Sequence, residues 1–265
     1  MTRRAAATRR CVFLGVLGVA PLLRPLLDQQ TLLAQRTLLA VGAHAGDMEL
    51  TCGAFLARQK QRGDRVVLLH LTLGEGGHPG VAPERYAAQK RREAIEAAQV
   101  LGAEVRFAPF LDGQLPDDDE ARRYVADVIR ELKPTHVITH WKRSLHKDHA
   151  VASRVVADAV LLASLDGVRT AHPAYRGVRS VWYAENWEDA DDFQPYVLVE
   201  VGATMSVWRQ AVTKYEFVRG GISSFRYLEY YDALSVVRGA VARLTRAEAF
   251  DVDPSAKRRV VDSLP

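Results

Sequence analysis

The stretch Thr37–Leu50, "TLLAVGAHAGDMEL", joins an apolar run to a short polar loop and the start of a helical pattern. A short, continuously apolar run such as "RTLLAVGA" (36–43) predicts a strand buried on both faces. "MELTCGAFLARQKQRG" (48–63) follows with Leu50, Phe55 and Leu56 at helical spacing and Gly63 placed as a C-terminal cap. His44, Asp47 and Glu49 fall in the turn between them, a plausible place for a metal at the end of a strand.

Working outward, the alternation repeats. "RVVLLHLTLG" (65–74) predicts a second strand, and "PERYAAQKRREAIEAAQVLG" (83–102) a helix opened by Pro83 and closed at Gly102. "EVRFAPFL" (104–111) and "THVITHW" (135–141) predict strands; "DEARRYVADVIREL" (119–132) and "DHAVASRVVADAVLLASL" (148–165) predict helices. Repeated β-α units of this kind imply an α/β fold, a Rossmann-like three-layer α/β/α sandwich on a mostly parallel sheet. Past Gly167 the alternation loosens. "SVWYAENW" and "PYVLVEVGA" read as strands, "MSVWRQAVTKYEFV" and "YLEYYDALSVVRGAVARL" as helices. These make a C-terminal α+β extension of a single domain, residues 36–265. Ligands of such sheets bind outside the carboxyl ends of the strands. That rim collects His44 and Asp47 from the first strand, Glu75 to His78 from the second, Asp112 from the third and His140 to His149 from the fourth.

With 265 residues, 48% hydrophobic and 26% charged, the chain has the composition of an ordinary globular protein with one substantial core. Its net charge of +4 owes much to Arg3, Arg4, Arg9 and Arg10, and no aromatic-interleaved basic stripe argues for nucleic acid. In residues 1–35 a basic segment precedes an apolar run, Cys11–Leu23, that is too short to span a bilayer. It has the layout of an export signal, and "TRRCVFLG" resembles a twin-arginine signal with one residue too many. The expectation is a periplasmic or extracellular protein, with an uncleaved N-terminal membrane anchor as the alternative. Only Cys52 lies outside that segment, so neither a disulfide framework nor a thiolate zinc site can be built. Cys52 is expected to pack as a small apolar residue on its helix.

In "SLHKDHAVAS" (144–153), His146, Asp148 and His149 crowd the start of a helix, where Asp148 could also serve as a cap. Together His44, Asp47 and His149 supply three nitrogen and oxygen ligands, and three ligands with an open position is the usual design of catalytic zinc. An oxygen-only magnesium site would not need the histidines. The chemistry that follows is metal-assisted hydrolysis of an amide or ester, by zinc or another divalent transition metal. "GEGGHPG" (74–80) lacks the spacing of a dinucleotide loop. Trp141, Trp182, Tyr183 and Trp187 could stack on a sugar ring, although aromatics at these spacings are more often core.

The chain resembles the PIG-L/LmbE-like zinc de-N-acetylases. "AHAGDMELTCG" (43–53) follows their A-H-P-D-D-x-E-L-x-x-G motif at His44, Asp47, Glu49, Leu50 and Gly53, and "HKDH" (146–149) matches H-x-D-H. "LTLGEGG" (71–77) and "KRREAIEAAQVLGA" (90–103) are also similar. The resemblance implies zinc held by His44, Asp47 and His149, with His146 stabilising the oxyanion left by attack of metal-activated water. It further implies that Asp148 orients His146, that Lys90 stands near a substrate-binding arginine, and that the substrate is an N-acetylated amino sugar or glycoconjugate. One departure is specific: Gly46 replaces the aspartate that serves the family as general base. Glu49, Glu75 and Asp112 are the carboxylates that could take its place. Glu75 is preferred for its glycine-rich loop, and Glu49 is expected among the substrate contacts. A non-catalytic metal- or glycan-binding protein is the alternative. Nothing in the sequence indicates an oligomeric state.

Overall fold

The computed structural model describes residues 35–189 and 191–258, so the expected export or anchor segment, apart from Gln35, lies outside the described residues. Five strands run parallel: β1 (Thr37–Gly42), β2 (Arg65–His70), β3 (Glu104–Phe107), β4 (His136–His140) and β5 (Ser180–Ala184). With β6 (Val197–Glu200) and β7 (Ala247–Val252) they form a seven-stranded sheet in the order β3-β2-β1-β4-β5-β7-β6. The last inserted strand, β7, is antiparallel to both its neighbours.

Helices α1 (Asp47–Gln61), α2 (Pro83–Leu101), α5 (Met205–Val212) and α6 (Tyr227–Ala242) cover one face, and α3 (Asp119–Leu132) and α4 (Lys147–Ser164) the other. Water therefore reaches neither face of the central strands, which is why Leu39, Ala40, Val67, Leu68, Val137 and Ile138 are fully buried and the strands read as unbroken apolar runs. The three-layer α/β/α arrangement expected from the sequence is present. Its C-terminal part is built into the same sheet, and α5 packs against α1 and α2. Among the described residues, no helix is long and apolar enough to cross a membrane.

Helix α1 is buried from Met48 through Ala57, including Cys52, and it kinks at Cys52, whose φ is −144°. The cause lies on β7. The Glu248 carboxylate accepts the backbone N–H groups of Ala54 (3.1 Å) and Phe55 (2.6 Å), capping the second half of α1 as though a new helix began there.

What places the site is the order of the strands. The chain runs outward from β1 to β2 to β3, then returns to set β4 on the other side of β1. This reversal opens a crevice at the carboxyl ends of β1 and β4. Both α1 and α4 start at that crevice, so both helix N-termini face it.

Candidate metal centre

Gly42 ends β1, and Gly46, with φ of +107°, turns the chain sharply into α1. That turn sets Asp47 as the first helical residue, and its Oδ2 accepts the backbone N–H of His44 at 2.6 Å. Across the crevice, His149 lies in the first turn of α4. Three donor atoms then converge. His44 Nδ1 is 3.2 Å from Asp47 Oδ2, His44 Nδ1 is 3.2 Å from His149 Nε2, and His149 Nε2 is 3.4 Å from Asp47 Oδ2. A tetrahedral ion with bonds of about 2.0–2.2 Å would hold neighbouring ligand atoms about 3.3–3.6 Å apart, so the triangle fits zinc with little adjustment.

The ring nitrogens turned away from this face meet carboxylates. His44 Nε2 is 3.1 Å from Asp112 Oδ1 and 3.7 Å from Asp148 Oδ2, and His149 Nδ1 is 2.9 Å from Glu188 Oε2. Such partners fix the tautomer and orientation of metal-ligating histidines. Behind Asp47, His140 Nε2 lies 3.1 Å from Oδ2 and 2.9 Å from the Ala43 N–H, which it accepts.

The electrostatics call for positive charge at this face. Burial alone would lower His44, but Asp47, Asp112 and Asp148 hold it well above its ordinary value; His149, likewise buried, is raised to about 9 by Asp47 and Glu188. Asp47 is held well below the usual carboxylate range, since His149, His44 and His140 outweigh its burial. His140, by contrast, is pushed down to about 4 by burial and by the charge on His149.

Two joined lobes open above the donors. The deeper one, about 160 Å³, is lined by His44, Asp47, His146, His149, Trp187 and Tyr231 among others. The wider one, about 220 Å³, adds Lys90, Asp112 and Ile222, and both share Phe217 and Tyr227. His146 is the N-cap of α4 and overhangs both lobes, its ring 4.6 Å from that of His44. Its Nδ1 accepts the backbone N–H of Asp148 at 3.2 Å, and burial with the charges on His44 and His149 lowers its pKa. With Nδ1 taken up by that N–H, Nε2 is the ring nitrogen left to donate.

Several sequence expectations need correction here. The Asp148 side chain neither caps α4 nor orients His146. Its Oδ2 accepts the Gly113 N–H at 2.7 Å and faces His44, while its main chain orients His146. Glu49 lies in the core behind the loop, fully buried, with Tyr215 Oη donating to it at 2.6 Å, and lines neither lobe. Glu75 also lines neither lobe. Its oxygens accept the backbone N–H groups of Asp112 (2.9 Å) and Leu73 (3.2 Å). Asp112 is the one of the three that does reach the cavity. Lys90 lines the wider lobe, donates to Ala45 O at 2.5 Å and lies over the rings of Phe217 (4.2 Å) and Tyr215 (4.7 Å). Of the four aromatics, Trp141 and Tyr183 are buried and Trp182 packs against Phe55 and Phe250, leaving Trp187 at the cavity.

A parallel sheet with a His-Asp-His donor face at its switch point defines an α/β protein with side chains that could hold a divalent ion. Comparison with known proteins narrows this class. Residues 39–160 match the family model "PIG-L: GlcNAc-PI de-N-acetylase". It is 24% identical to a 4-oxalmesaconate hydratase of Pseudomonas putida over 79% of this chain and 82% of that protein. It is 32% identical to a 1D-myo-inositol 2-acetamido-2-deoxy-alpha-D-glucopyranoside deacetylase of Catenulispora acidiphila over 50% of this chain and 53% of the relative. The chain thus spans about half the length of that deacetylase. The solved structure of conserved protein TT1542 from Thermus thermophilus superposes with a TM-score of 0.73 at 31% identity, covering 87% of this chain and all of that one.

Proposed function

We propose that the protein is a metal-dependent deacetylase that hydrolyses the acetamido group of an N-acetylated amino sugar or of a glycoconjugate carrying one. The donor triangle of His44, Asp47 and His149 at the floor of the cavity carries this reading, and the acetamido sugar in the name of the Catenulispora relative supports the substrate class. A zinc ion held there would polarise the acetyl carbonyl and make a neighbouring water more acidic. His146 donates from Nε2 to the carbonyl oxygen as negative charge develops on it, and the N-termini of α1 and α4 favour the same charge. Of the three candidate replacements for the base only Asp112 lies on the cavity wall. Its oxygens meet His44 Nε2, on the side turned away from the donor face, and the Gly76 N–H, so it holds His44 and does not, as it stands, supply the base missing at Gly46. The basic and apolar N-terminal segment supports action after export.

The test is metal content and acetate release from N-acetylglucosaminyl glycosides. His149→Ala is expected to lose both. His146→Ala is expected to keep its metal and lose about 10²–10³-fold in kcat. A wild-type protein that binds no divalent ion, or a His149→Ala variant that still releases acetate, overturns the assignment.

A second reading has its own support, because the match to the hydratase spans most of both chains and Gly46 carries no base. The same face would then serve addition of water to an unsaturated carboxylate, with the Lys90 ammonium meeting the substrate's negative charge. Loss of conjugated-acid absorbance without acetate release selects this reading. A metal-loaded protein that turns over neither substrate class is the non-catalytic family member.

A further inference from the structure

Asp112 and Gly113 lie where the loops after four strands meet. Asp112 donates its backbone N–H to Glu75 Oε1 at 2.9 Å, and Gly76, in the same turn as Glu75, donates its own N–H back to Asp112 Oδ2 at 2.9 Å. The other Asp112 oxygen, Oδ1, faces His44 Nε2 at 3.1 Å. Gly113 donates to Asp148 Oδ2 at 2.7 Å. The two loops are thus clasped reciprocally, carboxylate to main chain in both directions, and the clasp ends on a residue of the donor triangle.

The turn is built for this contact. Gly74, with φ of +74°, takes a left-handed conformation that glycine adopts without strain. A side chain at Gly76 would place its Cβ 3.1 Å from Asp112 Oδ2. Glu75 itself borders a separate outer cavity of about 480 Å³, lined by Leu73, Pro83, Arg91 and Phe110, and does not border the lobes above the donors. Geometry therefore separates two roles for this glutamate. A proton acceptor must reach the reacting water; a positioning residue need only hold Asp112.

We propose that Glu75 is a positioning residue: by holding Asp112 it orients His44 and so sets the metal affinity of the site. The inference rests on the proposed metal-dependent function. Zinc affinity, measured by competition with a chromogenic chelator on the full chain, is the primary readout, with acetate-release kinetics and a thermal melt beside it. Glu75→Ala removes the acceptor for Asp112 N–H and is expected to weaken zinc binding about 10–100-fold. Its kcat at limiting zinc should fall while KM changes little. Glu75→Gln can keep its carbonyl oxygen on the Asp112 N–H, losing only the longer contact to the Leu73 N–H, and is expected to retain more zinc affinity and kcat than Glu75→Ala. Gly76→Ala leaves Glu75 untouched but crowds the clasp from the other side, and is expected to weaken zinc binding in the same direction.

If Glu75→Gln abolishes kcat with zinc affinity intact, Glu75 is the proton acceptor and the proposal is wrong. It is equally overturned if Glu75→Ala melts as the wild type does and binds zinc as tightly. A wild-type chain without zinc affinity overturns the proposed function itself, and the positioning role with it. Should Glu75→Ala fail to fold, wild-type zinc affinity in Gly76→Ala is the overturning result.

Discussion

The chain up to the end of α4 and the chain beyond it build the same cavity by different means. The first part contributes His44, Asp47, Asp112, His146 and His149, each on a loop or helix start at the carboxyl end of a parallel strand. Their backbone is held by ladder hydrogen bonds on one side and helix N-termini on the other, so the donors are fixed by the sheet. The second part contributes Asn186, Trp187, Glu188, Phe217, Tyr227 and Tyr231, drawn from three separated segments. These are walls and outer contacts. Glu188 faces His149 Nδ1, Tyr231 Oη donates to Asn186 Oδ1 at 2.7 Å, and Trp187 stacks on Phe225 with ring centroids 4.4 Å apart. Under the proposed function, the parallel half would supply the chemistry and the remainder enclosure and selectivity.

Lys90 is where the two meet, since it rises from α2 into a box closed by Tyr215 and Phe217. Burial pushes its pKa down to about 8 against the attraction of Asp47, Glu93, Glu49 and Asp112. An unfolded lysine titrates near about 10.4. Between those two values the unfolded chain holds a proton that the folded one has released, so stability rises with pH across that window. Below it both states are protonated and the burial penalty is felt in full. From about pH 7 to about pH 10.5 the metal-free wild type should therefore gain on the order of 3 kcal/mol relative to Lys90→Met, as read from denaturant titrations. A gap that does not move with pH would show that the C-terminal aromatics do not desolvate this ammonium.

Gly46 tests the same junction from the other side. Its φ of +107° strains any other residue, and a Cβ there would lie 2.9 Å from Phe217 Cζ. The space next to the missing base is thus occupied by the C-terminal wall. Gly46→Asp is expected to cost about 1–3 kcal/mol and to yield no gain in acetate release. Adding Phe217→Ala should relieve part of that cost, so the double variant is less destabilised than the sum of the singles. A Gly46→Asp protein that melts like the wild type and hydrolyses faster would mean that the wall does not guard this position.

The same division explains what the sequence made legible. His44, Asp47, His146 and His149 stand in two compact motifs, and each follows an apolar run whose burial on both faces is plain from its composition. Local pattern was enough there, because strand end and donor lie within a few residues of each other. Glu188 and Phe217 have no such signal. What they touch is set by the path of the chain through β5 and α5, and by contacts 39 residues away for Glu188 and His149. His172 is another case, with no acid close to it in sequence but its Nδ1 3.1 Å from Asp127. Strand β7 escaped because Glu248 and Asp251 break its apolar run. Glu248 is turned to capping α1, and Asp251 Oδ2 accepts the Gln194 N–H at 3.1 Å. The choice among Glu49, Glu75 and Asp112 was likewise beyond local pattern, since all three are acids on or beside the rim and only side-chain direction tells them apart.

The smallest expected effect falls on Trp187, which is 37% exposed at the edge of the deeper lobe. Its indole contributes a flat apolar face and no donor to the metal triangle. If enclosure is the task of the C-terminal part, Trp187→Ala should weaken ground-state and transition-state binding alike. KM for an N-acetylated glycoside would rise on the order of tenfold, equivalent to about 1.4 kcal/mol, with kcat and zinc affinity unchanged. Trp187→Phe keeps a ring against Phe225 and should recover most of the loss. A fall in kcat that tracks a fall in zinc affinity would instead place Trp187 in the support of His149, through its neighbours Asn186 and Glu188, and the separation between reactive half and enclosing half would not hold at this edge.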